Sequence, residues 1–217
     1  MRGMKHQPEH VAIGALLCLA SMLLGGCSLL QPAKLASMNT YALEAQFEPA
    51  AAGAGEATLF VNTPGARPGF DSPRMIYIKT PHELDYFSEN QWVDSPARML
   101  SPLLVEALEH SAKYRAVVDV RSAAKADLRL DTEIIRLQHE FLTRPSQVHL
   151  TVRAQLIDLH GKRVLATREF DVTQVAPSDD PYGGVIATNR AVKIALLQIA
   201  DFCALESNAS EPRSAPK

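Results

Sequence analysis

The sequence predicts an α+β fold, a single domain in which an antiparallel or mixed β-sheet carries two main helices packed on one face. Between residues 127 and 172, apolar and polar residues alternate in segments joined by short turns, which is typical of strands with one buried face. Within residues 96–113 and 185–204, apolar residues recur at helical spacing instead. Two helices on one face of a sheet would bury both kinds of apolar surface economically.

The first part of the domain is expected to contain short strands separated by loops. Pro81 and His82 form a tight connection between two apolar segments, which predicts a β-hairpin. The stretches rich in Ala, Gly and Pro predict loops. The expected strands cover residues 40–47, 58–62, 75–79 and 84–87, and the expected loops cover residues 48–56 and 63–73.

The first helix is expected to begin after Asp94. Ser95 can cap its amino end, and Pro96 suits the first helical position. The apolar spacing continues to about Lys113. Because Pro102 lies inside this pattern, either it kinks the helix or Ser101 caps a second helical start.

The second half of the domain is expected to be an antiparallel meander followed by a helix. In the segment 127–141 the apolar alternation changes phase at Ile134 and Ile135. Since a one-residue slip reverses which side chains face the core, we predict a β-bulge there. The expected strands cover residues 116–120, 127–141, 148–156 and 164–172, with turns at 143–146 and 160–161 and a final helix at 185–204.

The amino terminus has the pattern of a lipoprotein export signal. A mildly basic start precedes an apolar run at residues 11–24, which is shorter than the roughly 20 apolar residues needed to span a bilayer. A branched apolar residue, two small residues and a thiol then follow in the order that lipoprotein maturation requires. These residues are Leu24, Gly25, Gly26 and Cys27.

We therefore predict cleavage after Gly26 and lipidation of Cys27, whose acyl chains would anchor the protein stably. Ser28 favours transfer to the outer membrane, with the domain facing the periplasm. The predicted division of the chain is a signal peptide at 1–26, a lipidated tether at 27–39, a folded domain at 40–204 and a disordered tail at 205–217.

Cysteine and charge content exclude several classes of protein. Cys18 leaves with the signal and Cys27 carries lipid, so Cys203 has no partner within the mature chain. We interpret Cys203 as a small buried hydrophobe, with an intermolecular disulfide as the alternative. The formal net charge is −2 and the charges are scattered, without the basic block expected of a protein that binds nucleic acid or anionic lipid headgroups.

The sequence contains no recognisable catalytic, nucleotide or metal motif, so we expect neither enzymatic activity nor a cofactor. The histidines form no HExxH or HxH pair, and GxSxG, P-loop and GxGxxG patterns are absent. His139 and His149 lie on predicted strands, where we interpret them as surface or edge residues. Asp179 and Asp180 precede the final helix, where carboxylates favour the helix dipole.

Aromatic residues supply the candidate partner contacts. Tyr86 and Trp92 belong to an aromatic-rich stretch, for which core packing is the preferred interpretation and contact with a partner protein the alternative. Tyr182 lies between Pro181 and two glycines, a setting that suits an interface. The competing interpretation is that the glycines merely set the start of the helix.

Several segments, taken in order behind the lipoprotein signal, are similar to a known family. They are residues 70–77, residues 84–87 with Trp92 a few positions on, residues 103–108, and Ala187, Asn189, Ala191, Ile199 and Phe202 in the final helix. In these segments the chain resembles the ABC-type transport auxiliary lipoproteins, which include the lipoproteins of paraquat-inducible and mammalian-cell-entry transport systems. The resemblance covers most of residues 40–204.

The resemblance implies a non-enzymatic outer-membrane lipoprotein that docks a periplasmic conduit. Its implied partners are a periplasmic mammalian-cell-entry protein, an ABC permease and an ATPase, and the implied cargo is phospholipid or another hydrophobic molecule. A ring-like homo-oligomer would suit such a conduit. The alternative is a periplasmic lipoprotein that regulates or assembles an envelope complex, such as a cell-wall synthase or an outer-membrane barrel.

Overall fold

The computed structural model describes residues 37–48 and 55–210, which contain nine strands and two helices. The strands are β1 (Asn39–Tyr41), β2 (Thr58–Val61), β3 (Gly65–Ala66), β4 (Arg74–Ile78), β5 (Asp85–Trp92), β6 (Ala116–Val118), β7 (Leu128–Glu140), β8 (Gln147–Asp158) and β9 (Arg163–Val175). The helices are α1 (Pro96–His110) and α2 (Pro181–Ser210). The predicted signal, cleavage site, lipidated Cys27 and most of the tether lie outside the described residues.

The nine strands form one mixed sheet, which confirms the α+β prediction. β7 is its centre: β8 pairs with it antiparallel along nearly its whole length, and β9 continues that meander. The other edge of β7 is shared, in succession, by β2, β3 and β4, each running parallel to it. β6 pairs parallel with β2, β5 pairs antiparallel with β4, and β1 pairs parallel with β5.

The meander follows the alternation in the sequence, and the predicted bulge is confirmed. The pairing of β7 with β8 shifts register between Ile134 and Arg136, so that Ile135 is the extra residue. The shift keeps Ile134 and Leu137 both buried, although they are an odd number of residues apart.

Helix α1 runs without interruption from Pro96 to His110, with Pro102 inside it, so no second helical start occurs at Ser101. Ser95 occupies the N-cap position but its hydroxyl makes no capping hydrogen bond. The Asp94 carboxylate accepts a hydrogen bond from the Ser95 N–H instead, at 2.7 Å.

Several predicted boundaries were wrong. β5 continues to Trp92 rather than ending at residue 87, and α2 begins at Pro181 rather than at residue 185. β1 ends at Tyr41 rather than at residue 47, because the chain then leaves the sheet and turns to α2, where the Glu44 N–H donates to the Asn189 side chain. α2 extends past Ala204 to Ser210, into the expected tail. In this extension the Ser207 hydroxyl donates a hydrogen bond to the Cys203 carbonyl and also lies 3.2 Å from the Tyr114 hydroxyl.

The core lies between the sheet and the two helices, and α2 supplies much of it. Phe202 packs edge-on against Phe170 of β9, with a ring-centroid distance of 5.7 Å. Arg168 lies over the Phe202 ring at 5.0 Å and covers it from solvent. The fully buried large side chains of the core are Leu59, Val61, Leu100, Leu104, Leu108, Leu130, Ile134, Leu150, Leu156, Leu196, Ile199 and Phe202.

Cys203 is buried in this core, as the sequence predicted, and it forms no disulfide within the described residues. Burial raises the pKa of its thiol to about 12, so almost no thiolate is present at neutral pH. We expect maleimide labelling of Cys203 in the native protein to be at least ~100-fold slower than in denaturant. Rapid native labelling, measured by intact mass, would show that α2 opens at this point.

Candidate functional site

The candidate site is a cleft at the end of the sheet where β4 and β7 finish side by side. Tyr77 and Ile78 pair with His139 and Glu140, and the Phe141 N–H donates to the Ile78 carbonyl at 2.8 Å. This pairing brings the residues after both strands next to the start of α2. The resulting aromatic cleft has a volume of about 390 Å³ and is lined by Lys79, Phe87, Phe141, Thr143, Arg144, Asp179, Asp180 and Pro181.

Two of the rings that line the aromatic cleft, Phe87 and Phe141, pack against Tyr77 and His139 in a cluster of four rings. Tyr77 and Phe87 are 4.6 Å apart between centroids, and Phe141 meets both of them edge-on at 6.1 and 6.4 Å. His139 lies beneath, 4.2 Å from Phe141. Tilted and edge-on pairs of this kind add stability beyond the area they bury, so the cluster is rigid.

His139 was expected at the surface or at an edge, and this prediction was wrong, because only 3% of the residue is exposed. It lies on the central strand with its side chain directed towards α2. Burial lowers the pKa of His139 to about 4 despite the nearby Asp179 and Asp180 charges. Its Nδ1 has no hydrogen-bond partner among the described residues, and a Cβ at Gly184 would come within 2.5 Å of it. A glycine is therefore needed at position 184 for the helix to approach the ring.

Ser146, His139 and Asp179 lie together, but they are not arranged as a catalytic triad. The His139 Nε2 is 2.8 Å from the Ser146 hydroxyl, whereas Asp179 accepts the Ser146 N–H at 2.7 Å and does not bond the His139 Nδ1. In a Ser-His-Asp triad the carboxylate bonds the second nitrogen of the histidine, and the serine is within reach of substrate. Ser146 is fully buried, so these contacts fix the β7–β8 turn against the start of α2.

The two carboxylates before α2 accept hydrogen bonds from backbone amides. Asp180 accepts the Gly183 N–H at 2.7 Å and so satisfies a free amide of the first helical turn. Backbone hydrogen bonds, to Gly183 for Asp180 and to Ser146 for Asp179, lower the pKa values of both groups.

We expect Asp180→Ala to lower the free energy of unfolding by about 1 kcal/mol, because it removes this capping hydrogen bond. Denaturant unfolding checks this. Asp201→Ala, at an exposed position late in the same helix, is the matched control and should change stability by less than about 0.5 kcal/mol. Equal effects of the two substitutions would contradict the capping role.

His149 belongs to a second polar cluster, on β7, β8 and β9. Its Nε2 is 2.7 Å from Asp171 and its Nδ1 is 3.3 Å from Glu140. The Arg136 guanidinium lies 3.0 Å from the same Nε2, and the Thr151 hydroxyl donates to Asp171. His149 is partly exposed on the outer face of the sheet, next to the exposed Asp171, but it lies on an interior strand and not at an edge. Within residues 37–48 and 55–210, no group of three or more His, Cys, Asp or Glu side chains is arranged to hold a metal ion.

The three predicted contact residues lie in different environments. Trp92 is only 4% exposed and belongs to the core, so it does not lie on the surface of this domain. Tyr86 is half-buried beneath the Arg74 guanidinium, which is 3.7 Å from its ring centroid. Tyr182 is 59% exposed and lies 6.1 Å from Tyr41, and it directly follows Pro181, which lines the aromatic cleft.

Sequence reasoning did not identify the aromatic cleft. Lys79 and Arg144 lie in separate segments and meet only because β4 pairs with β7. The one local signal was the aromatic residue Phe141 placed directly before an expected turn. No helix in the described part of the chain has the length and apolar character to cross a membrane.

Comparisons with known proteins bear on the fold and on the family. A family model described as the ABC-type transport auxiliary lipoprotein component matches residues 41–200. No curated protein matches the chain at a significant level.

Among solved structures, a Xanthomonas campestris protein of the DUF330 family is 24% identical, with a TM-score of 0.71 over 79% of this chain and 98% of that one. Another structure, described as an uncharacterized protein, is 13% identical, with a TM-score of 0.59 over 79% of this chain and 99% of that one. At these identities the two structures show that the fold is shared.

Proposed function

This chain belongs to the family of ABC-type transport auxiliary lipoprotein components, and from that premise we propose that it docks a periplasmic lipid conduit at the outer membrane. In this proposal it is a lipid-anchored, non-enzymatic subunit. Its partners are a periplasmic mammalian-cell-entry protein, an ABC permease and an ATPase, and the cargo is phospholipid or another hydrophobic molecule.

The observation that carries the proposal is the extent of the family match. Residues 41–200 include β2 to β9, all of α1 and the first 20 residues of α2, so the match covers nearly the whole described domain. The domain described here is therefore the family's domain, and the role of an auxiliary transport component applies to it as a unit. The Leu24–Cys27 pattern supports a lipid anchor, and Ser28 supports the outer membrane as its location.

The geometry is compatible with a docking role. The space between sheet and helices is filled by side chains, which leaves the outer surfaces, such as the open aromatic cleft, for recognition. Ser146 and His139 are close enough for catalysis but are buried and fix a turn, which supports a non-enzymatic subunit. Transport of lipid needs a path shielded from water, since each exposed CH₂ costs roughly 0.8 kcal/mol. A docking subunit can help to close such a path without catalytic groups.

Cross-linking in intact envelopes tests the proposal. A photo-reactive amino acid replaces Tyr182, which is exposed and follows Pro181 of the cleft lining, and a matched control replaces the exposed Val120. Cross-linked partners are identified by mass spectrometry. We expect position 182 to capture a mammalian-cell-entry protein and position 120 to capture it less.

Other outcomes of this experiment have definite meanings. Capture of a cell-wall synthase or of barrel-assembly proteins would overturn the transport role and favour a regulator or assembly factor.

Separation of the inner and outer membranes tests the predicted location, which recovery of the protein in inner-membrane fractions would overturn. Loss of the acyl mass and of membrane association in a Cys27→Ser variant is expected if Cys27 carries the anchor.

A further inference from the structure

We propose that the end of the sheet that carries the aromatic cleft rests on the bilayer that holds the acyl anchor, with the side chains of Leu84, Leu142 and Val175 inserted among the lipid headgroups. We call these three residues the apolar tips. The inference rests on the proposed lipidation of Cys27, but not on the identity of the transport partners or of the cargo. Its consequence is a fixed orientation of the domain on the membrane.

Strand pairing brings the apolar tips to one end of the sheet. Because β4 runs parallel to β7, the β4–β5 connection at 79–84 and the β7–β8 connection at 141–146 lie at the same end. β9 also ends there, because it runs antiparallel to β8. Leu84 closes the first connection, Leu142 lies in the second, and Val175 is the last residue of β9. Successive strand ends therefore each carry one apolar tip.

The apolar tips are exposed despite being large apolar side chains, by 43% for Leu84, 45% for Leu142 and 54% for Val175. Single exposed apolar residues are ordinary on a protein surface, and other exposed residues of this kind occur elsewhere on the domain. The apolar tips differ because they share one end of the sheet with the open aromatic surface of Phe87 and Phe141. Leucine and aromatic side chains are the ones that enter the interfacial layer of a membrane.

The chain enters the domain from the same end. β1 runs parallel to β5, which begins at this end directly after Leu84, so Met38, just before β1, lies on the side of this end. Asn39 pairs with Asn90, which is about 17 Å along β5 from the start of that strand. The eleven residues from Cys27 to Met38 can span up to about 36 Å. An anchor at Cys27 can therefore lie in a bilayer that the apolar tips also contact.

The charges of the aromatic cleft do not select an anionic membrane. Two cations line the cleft, Lys79 and Arg144. Asp179 and Asp180 line it as well, and backbone hydrogen bonds lower the pKa values of both carboxyl groups, so they are ionised at neutral pH and balance the cations. The attraction to the membrane comes from apolar side chains, and it should be the same for zwitterionic and for anionic lipids.

The apolar tips would orient the protein rather than hold it. Acyl chains on Cys27 anchor the chain but leave the domain free to rotate about its tether, and a second contact at the headgroups determines which end faces the bilayer. The first turn of α2, with the exposed Tyr182, begins at the same end. A conduit protein that reaches the membrane would therefore meet this end of the domain.

Fluorescence quenching by spin-labelled lipid tests the orientation. The lipidated chain, residues 27–217, is reconstituted in phosphatidylcholine vesicles that contain phosphatidylcholine with a nitroxide on its headgroup. A nitrobenzoxadiazole probe is attached at Leu84→Cys or Leu142→Cys, or at the control Val164→Cys, which is 50% exposed at the opposite end of the sheet. Cys203 is buried and stays unlabelled. We expect quenching at least about fivefold stronger at 84 and 142 than at 164, because β7 separates the two ends by about 40 Å.

A double variant tests whether the apolar side chains cause the orientation. With the probe at Val175→Cys, Leu84→Ser/Leu142→Ser should reduce quenching at least about threefold, since the remaining contact is too small to fix the domain. The matched control Val93→Ser/Val120→Ser removes two exposed apolar side chains elsewhere and should leave quenching unchanged. Equal effects of the two double variants would overturn the role of the apolar tips.

The other outcomes separate this inference from the proposed function. Equal quenching at positions 84, 142 and 164 would overturn the fixed orientation, and quenching that requires phosphatidylglycerol would overturn its apolar basis. Intact mass reports the acyl chains: a chain without them would overturn the proposed anchor and this inference together, whereas an acylated chain without position-dependent quenching would overturn this inference alone. Envelope cross-linking from Tyr182 reports the transport partners independently of these vesicles.

Discussion

We expect Phe202→Ala to lower the free energy of unfolding by about 3–5 kcal/mol, the range for truncating a large buried aromatic side chain. Phe202 is fully buried and joins α2 to β9 through an edge-on contact with Phe170. Removal of the ring would leave a cavity and would also remove the contact between the ring and the Arg168 guanidinium. Since native domains are stable by only about 5–15 kcal/mol, this loss would approach the whole stability of the domain.

The control for this substitution lies in the same helix. Leu205→Ala also truncates an apolar side chain, at a position that is 65% exposed, and it should change stability by less than about 0.5 kcal/mol. Urea unfolding of both variants, followed by circular dichroism, checks the pair. A loss below about 1 kcal/mol for Phe202→Ala would show that α2 is not packed on β9 as described.

The meander could be predicted because each of its strands can be recognised from its own residues. Along β7, β8 and β9 the strands are long, the turns are short and one face is buried, so alternation alone identifies them. The phase change at Ile134 and Ile135 even located the bulge, since a bulge is the simplest way to keep both halves of a strand facing one core.

The parallel pairings could not be predicted in this way. β2, β3 and β4 all attach to the same edge of β7, and nothing in their own residues specifies that partner. β3 has only two residues and lies in what the sequence indicated to be a loop. Short segments of this kind are defined by hydrogen bonds to a distant strand rather than by their own periodicity.

The candidate site escaped prediction for the same reason. Lys79 ended an expected strand, Arg144 lay in an expected turn and Asp180 preceded an expected helix, so no local signal indicated that they line one cleft. His139 was misjudged because a lone histidine in a strand does not show from sequence which face it occupies. The alternation along β7 did indicate the face of His139, because after the bulge Leu137 and His139 are both on the buried face.

The mixed sheet thus explains both the core and the cleft. If β4 ran antiparallel to β7, the last residues of the two strands would lie at opposite ends of the sheet. Parallel pairing places them at the same end, next to the first turn of α2, where Gly184 allows the helix to pack on His139. The buried histidine and the cleft above it are therefore parts of one structural unit, and the titration of His139 should report on that unit.

We expect the stability of the domain to fall by about 3 kcal/mol as the pH is lowered from 7 to 4, through His139 alone. Burial holds the pKa of His139 at about 4 in the folded protein, compared with an ordinary value of 6.5. Between these two values the unfolded chain binds more protons than the folded one, so stability increases with pH in this window. The contribution is complete above pH 6.5 and is lost as the pH falls towards 4. Asp179 and Asp180, whose pKa values are lowered, lose their contributions mainly below this window.

Thermal or urea unfolding between pH 4 and 7 measures the effect, and His139→Gln isolates it. The glutamine does not titrate in this range, so the variant should be less stable than the parent at pH 7 but should show a much weaker pH dependence. His160→Gln, at an exposed position in the β8–β9 turn, should keep the full dependence of the parent. A parent protein whose stability is flat from pH 6.5 to 4.5 would mean that His139 is hydrated or free to move. In that case neither the packing of α2 on His139 nor the rigidity of the four-ring cluster would hold.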